Sequence, residues 1–96
     1  MILEKFHKQP ADVQDYDIDF SAWLSGFSTA DTIASISSVT VDKTGLTIPT
    51  TMLSGSKVKV WTSGGTDGVD YKITARIITT AGRTNEQEII VKVKEY

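Results

Sequence analysis

Three aspartates, Asp15, Asp17 and Asp19, carry the spacing in this chain that comes nearest to a chemical motif. Oxygen ligands at alternate positions open the calcium loop of an EF-hand, which also needs a glycine after the third acid and a distal glutamate. Here Phe20 and Ser21 follow the acids, and apolar Tyr16 and Ile18 separate them. The pattern predicts a solvated strand face and no metal site. Ser63-Gly64-Gly65-Thr66-Asp67-Gly68 is glycine-rich but lacks the Gly-Lys-Ser/Thr ending of a phosphate loop and precedes a strand pattern, so it reads as a turn. His7 is the only histidine and no partner pattern surrounds it, so it reads as solvated or locally hydrogen-bonded. No nucleophile–base pair appears anywhere. The chain is expected to be no enzyme and to need no cofactor.

Composition narrows the class further. Ninety-six residues make one domain with a modest core. Hydrophobic content of 40% and charged content of 23% are ordinary for a folded protein. A net charge of −2 argues against nucleic acid as the main partner, because phosphate binding needs a basic face. The absence of cysteine removes disulfides and thiolate metal sites and fits a reducing cytoplasm. Met1-Ile2-Leu3-Glu4-Lys5 turns charged at once, unlike a signal peptide. No apolar run approaches the roughly 20 residues that span a bilayer, so no membrane partner is expected.

The elements that hold these residues read as strands. Residues 1–14 have no period and are expected to form a flexible N-terminal arm, leaving 15–96 as the folded domain. From Asp15 to Phe20, Tyr16, Ile18 and Phe20 point one way and the three aspartates the other. Ser21 to Leu24 is a turn or single helical turn, with Trp23 and Leu24 plugging one end of the core. Thr32 to Val41 is a strand. A short strand around Leu46 and Ile48 is ended, or confined to an edge, by Pro49. Lys57 to Thr62 places Val58, Val60 and Thr62 on one face. Val69, Tyr71, Ile73, Ala75 and Ile77 alternate with polar residues, and Ile89, Val91 and Val93 alternate again after a turn at Ala81-Gly82-Arg83. The expected fold is an all-β sandwich of six to eight strands.

That last hairpin also has a predicted register. Pairing apolar with apolar requires facing residue numbers to sum to an even number. A three-residue loop gives 164, with Arg76 opposite Glu88, Asp70 opposite Lys94 and Lys72 opposite Lys92. A five-residue loop ranks second because it loses Arg76–Glu88. The alternation turns Trp61, Ile78 and Ile90 away from the core. They are either a subunit contact or are covered by a bulge or the second sheet.

Gly68-Val69-Asp70-Tyr71-Lys72-Ile73-Thr74-Ala75 resembles the Gly-x-x-Tyr-x-Val-x-Ala entry to the penultimate strand of immunoglobulin-like domains, where a tyrosine corner folds the chain onto its own backbone. Three longer segments resemble a family of small phage structural proteins of the fiber–tail adaptor or neck–tail accessory type. They are Asp15 to Phe20 with Trp23-Leu24; Val60-Trp61-Thr62-Ser63-Gly64-Gly65-Thr66-Asp67-Gly68; and Ile77 to Thr84. This resemblance implies an immunoglobulin-like sandwich in a virion or prophage particle, a homo-oligomer contacting other phage structural proteins, with no catalytic residues to carry over. A rival class is a carbohydrate- or cell-surface-binding sandwich, with Trp23 and Trp61 available to stack on sugars.

Overall fold

In this computed structural model, which describes residues 2–95, every strand expected from alternation is present. The order is β1 (Ile2–Lys8), β2 (Val13–Asp19), α1 (Ser21–Leu24), β3 (Ile33–Val41), β4 (Leu46–Ser54), β5 (Lys57–Gly64), β6 (Asp70–Thr79) and β7 (Thr84–Val93). Two sheets face each other. One runs β1-β7-β6-β3 and the other β2-β5-β4. All pairings are antiparallel except β1 with β7, which is parallel.

The inward positions of both sheets make a single core. Ile18, Phe20, Val58, Val60, Tyr71, Ile73, Ile77, Ile89 and Val91 are fully buried, and Val93 and Tyr16 nearly so. Period-two alternation built this core, because successive side chains on a strand point to opposite faces. Leu24 on α1 closes one end. Pro49 lies in a bulge of β4, an edge strand, where its missing N–H removes no ladder bond. The strand continues to Ser54, so Pro49 confines it without ending it.

The N-terminal segment differs from expectation. Ile2–Lys8 is not a separate arm but the edge strand β1, running alongside Glu88–Val93 of β7. Its period was hidden because a charged residue occupies an inward position: Phe6 and Lys8 face the core side while Lys5 and His7 face out. Phe6 packs its ring 4.5 Å from that of Tyr16. Lys8 is buried, and its ammonium donates to the carbonyls of Gln9 (2.9 Å), Pro10 (3.5 Å) and Gly64 (2.6 Å). Burial lowers the Lys8 pKa, against the opposing pull of Asp12.

The hairpin register also differs from the first-ranked expectation. Tyr71 faces Val91 and Ile73 faces Ile89, so facing numbers sum to 162. The last pair is Ile78 with Thr84, leaving Thr79 to Arg83 as the longer of the two loops considered. Even parity holds, as burial demands. The charges explain the choice between the two even registers. At 162, Arg76 meets Glu86 (3.7 Å), Asp70 meets Lys92 (3.9 Å), and Lys72 reaches Glu88 diagonally (3.7 Å). The like-charged Lys72–Lys92 pair of the other register does not arise, because Lys72 faces Ile90.

Candidate protein interface

Trp61 lies at the middle of a row across the smaller sheet, between Asp15 of β2 and Thr50 of β4. Those neighbours leave it half-buried on the outer face. Val13 and Met52, both exposed, add apolar surface to that face. The next rows place Asp17 opposite Lys59 and Asp19 opposite Lys57. Lys59 forms an ion pair with Asp15 at 3.3 Å. Asp19 accepts a 2.8 Å bond from the Ser21 amide, which holds its carboxyl below the ordinary value. The three aspartates therefore form a strand face laddered against lysines. Among the described residues no group of three metal-binding side chains comes together.

Ile90 lies on the outer face of the other sheet. Its row runs Lys5, Ile90, Lys72, so an isoleucine sits between two lysines. A shallow depression of about 270 Å³ surrounds it, with Ile2, Lys43 and Lys92 on its walls and Asp42 and Asp70 beside them. Asp42 accepts from the Lys72 amide (2.9 Å) and pairs with Lys43 (2.9 Å), and both contacts lower its pKa. Ile78 shares this face at the opposite end, 39% exposed between Ser35 and Thr84. Six residues separate Thr84 from Ile90, about 20 Å along the strand.

The three outward apolar residues thus point outward as the alternation required, but they do not form one patch. Trp61 occupies one outer face, and Ile78 and Ile90 opposite ends of the other. Alternation fixes which side of a strand a residue occupies; only the strand order shows that β5 and β7 belong to different sheets.

One end of the sandwich is locked by a cluster with no sequence signal, because its members come from separate loops. Asp31 accepts from Arg83 (2.8 Å), the Ala81 amide (3.2 Å) and the Thr32 amide (2.9 Å). Burial alone would raise its pKa, but bonds from the Thr79 hydroxyl, Arg83 and these two amides outweigh it and bring the value to about 2. The Arg83 guanidinium stacks 3.9 Å above the Phe27 ring, and Trp23 meets Phe27 edge-on at 5.1 Å. Trp23 belongs to this end, within α1. Trp61 lies level with Asp15, about 13 Å further along β2. The two tryptophans do not converge on one site.

At the other end, the Tyr71 hydroxyl accepts a 3.0 Å bond from the amide of Thr66, five residues upstream. Gly45 makes room for it. A Cβ there would lie 2.6 Å from the hydroxyl oxygen, on backbone at φ 112°.

Over residues 8–92 the chain matches the family described as podophage GP4 fiber-tail adaptor protein gp77. The chain belongs to that family. The match covers every strand except β1 up to His7 and the last residue of β7, and it places the protein among phage tail structural components. No curated protein matches the chain. The segments that resembled an adaptor in sequence fall on structure of three kinds: the β2–α1 core edge, the β5–β6 turn beneath Tyr71, and the β6–β7 loop pinned by Asp31.

Proposed function

We propose that this protein is a non-enzymatic virion adaptor that joins tail and fiber components through protein–protein contacts. The observation that carries this reading is the family match across residues 8–92. The geometry supports it. Two apolar centres, Trp61 with Val13 and Met52 on one face and Ile90 with Ile2 on the other, give the molecule two contact surfaces that point away from each other. A joining part needs two such surfaces; a catalyst needs one convergent pocket. We read Trp61, Ile78 and Ile90 as contact residues for other phage structural proteins or for further copies of this chain.

We also read the sandwich as immunoglobulin-like. The order β2-β5-β4 against β7-β6-β3 is that of the B-E-D and G-F-C sheets of that fold, and the Tyr71–Thr66 bond has the form of a tyrosine corner.

The test is a phage carrying a nonsense mutation in this gene, grown with and without the protein supplied in trans. Particles made without it are expected to keep their capsids and DNA but to lack fibers, and purified protein is expected to restore them. Fibers on the unsupplemented particles would overturn the assignment. Binding to a defined sugar on a glycan array, with fiber attachment unaffected, would favour the cell-surface-binding alternative.

A further inference from the structure

The two outer faces of this molecule are suited to each other. The face around Ile90 carries Lys5, Lys43, Lys72 and Lys92 against Asp42, Asp70 and Glu88, one positive charge in excess. The face around Trp61 carries Asp15, Asp17 and Asp19 against Lys57 and Lys59, one negative charge in excess. Most of these groups are paired within their own face. Lys5, Asp17 and Lys57 are not: none has an ion pair or a side-chain hydrogen bond among the described residues. Lys5 and Asp17 stand next to the apolar centres, Lys5 one strand from Ile90 and Asp17 two positions along β2 from the partner of Trp61, while Lys57 lies four residues from Trp61 at the far end of β5.

We infer that copies of this chain pack head to tail, the Ile90 face of one on the Trp61 face of the next, with Lys5 and Asp17 meeting across the contact. The alternative symmetric pairings would put like on like. An Ile90 face against itself brings two net positive faces together, and a Trp61 face against itself two net negative ones. Like charges across an interface select against a partner more strongly than opposite charges favour one. A head-to-tail contact between opposite faces leaves each copy with one unfilled face, so it propagates into a closed ring or a row.

The contact is small. Strands of this length at about 3.3 Å per residue and about 4.8 Å spacing give a face near 500 Å², below the ~800 Å² per partner of a standard interface. A single pair in dilute solution is therefore weak, and the arrangement gains strength from repetition along a ring or row. This inference does not rest on the adaptor reading, since it concerns only how the chain meets itself.

The experiment uses two charge-reversed proteins, Lys5→Glu/Lys72→Glu and Asp15→Lys/Asp17→Lys, each confirmed folded by circular dichroism and melting. The single variants Lys5→Glu and Asp17→Lys serve if a double variant does not fold. Sedimentation at about 1 mM, with carbodiimide cross-linking of mixed isotope-labelled copies, reads the contact. Wild type is expected to self-associate and to give inter-copy links between Lys5 or Lys72 and Asp15 or Asp17. Each variant alone is expected to lose association at least tenfold, and an equimolar mixture of the two to regain it, because each supplies the face the other now matches. Wild type that stays monomeric without such links, links joining like faces, or a mixture no better than its parts would overturn the inference.

Discussion

Tyr71 shows how much one residue settles in this protein. Its ring is fully buried between the sheets, and its hydroxyl takes the Thr66 amide that the loop leaves unpaired. Tyr71→Ala is expected to cost about 3–5 kcal/mol, the range for emptying an aromatic core site. Tyr71→Phe keeps the ring and is expected to cost about 1–3 kcal/mol, the penalty for orphaning a partly buried donor. Urea unfolding of the two variants separates the ring's contribution from the hydroxyl's. Equal losses would mean that the hydrogen bond alone sets the stability of this corner. Gly45→Ala should behave like a larger version of Tyr71→Phe, since the new methyl displaces the hydroxyl and strains the turn.

Asp31 makes a second residue-scale prediction, on pH. Its folded pKa of about 2 lies below its ordinary 3.8, so the folded state favours the charged form. The stabilisation is complete above the ordinary value and is lost as pH falls through about 2. Asp19 and Asp42 shift in the same direction, so acid destabilises the protein through several groups. Asp31→Asn isolates one of them. The difference in urea midpoint between wild type and Asp31→Asn is expected to be constant from pH 7 to about 4 and to shrink towards pH 2. A difference that stays constant down to pH 2 would show that the Asp31 charge contributes nothing through Arg83 and the amides.

At the scale of elements, β1 is the least securely held strand. It has one neighbour, β7, and fixes itself to the core through Phe6, the Lys8 ammonium and the bond from the Lys94 amide to the Lys8 carbonyl (2.9 Å). Edge elements with few buried contacts open before the rest. Hydrogen exchange in the isolated protein is expected to be faster across residues 2–8 than across β6 and β7. Lys8→Met should speed it further while leaving β5 to β7 unchanged, because it leaves three carbonyls without their shared donor. Protection of β1 equal to that of β7 would contradict this.

The same strand shows where the sequence stopped being legible. Alternation sufficed for β2, β5, β6 and β7, whose inward positions are apolar or, as at Thr62, Thr79 and Gln87, polar but uncharged. It failed for β1 because the inward residue Lys8 is charged, and a buried lysine satisfied by three carbonyls cannot be told from a solvated one by its neighbours in sequence. The hairpin register was legible only to parity. Choosing 162 over 164 required weighing three favourable charge pairs against two favourable pairs and one like-charged pair, and those pairs depend on loop length. The outward positions of Trp61, Ile78 and Ile90 could be read from phase, but their grouping could not, because that depends on which strands share a sheet.

At the scale of the whole molecule, the protein is a thin two-layer body, 45 Å long and about 20 Å in its other dimensions. Two layers leave one shared core and two outward faces, so adjacent residues on one strand can have unrelated tasks. Ile89 and Ile90 are the sharpest case. Ile89 is fully buried and packs between the sheets, while Ile90 stands outside between Lys5 and Lys72. Ile89→Glu buries an unpaired carboxylate and is expected to unfold the isolated domain. Ile90→Glu places its charge between two lysines on the surface, so the isolated protein is expected to stay folded, with Tm within a few degrees of wild type. At the contact proposed for this face, that same charge would turn an apolar surface into a desolvated acid. Complementation with Ile90→Glu should therefore yield folded protein that fails to enter virions, read by mass spectrometry of purified particles. If Ile90→Glu unfolds the domain, Ile90 belongs to the core. If it enters particles at the wild-type level, the face around Ile90 is not where this protein meets its neighbours.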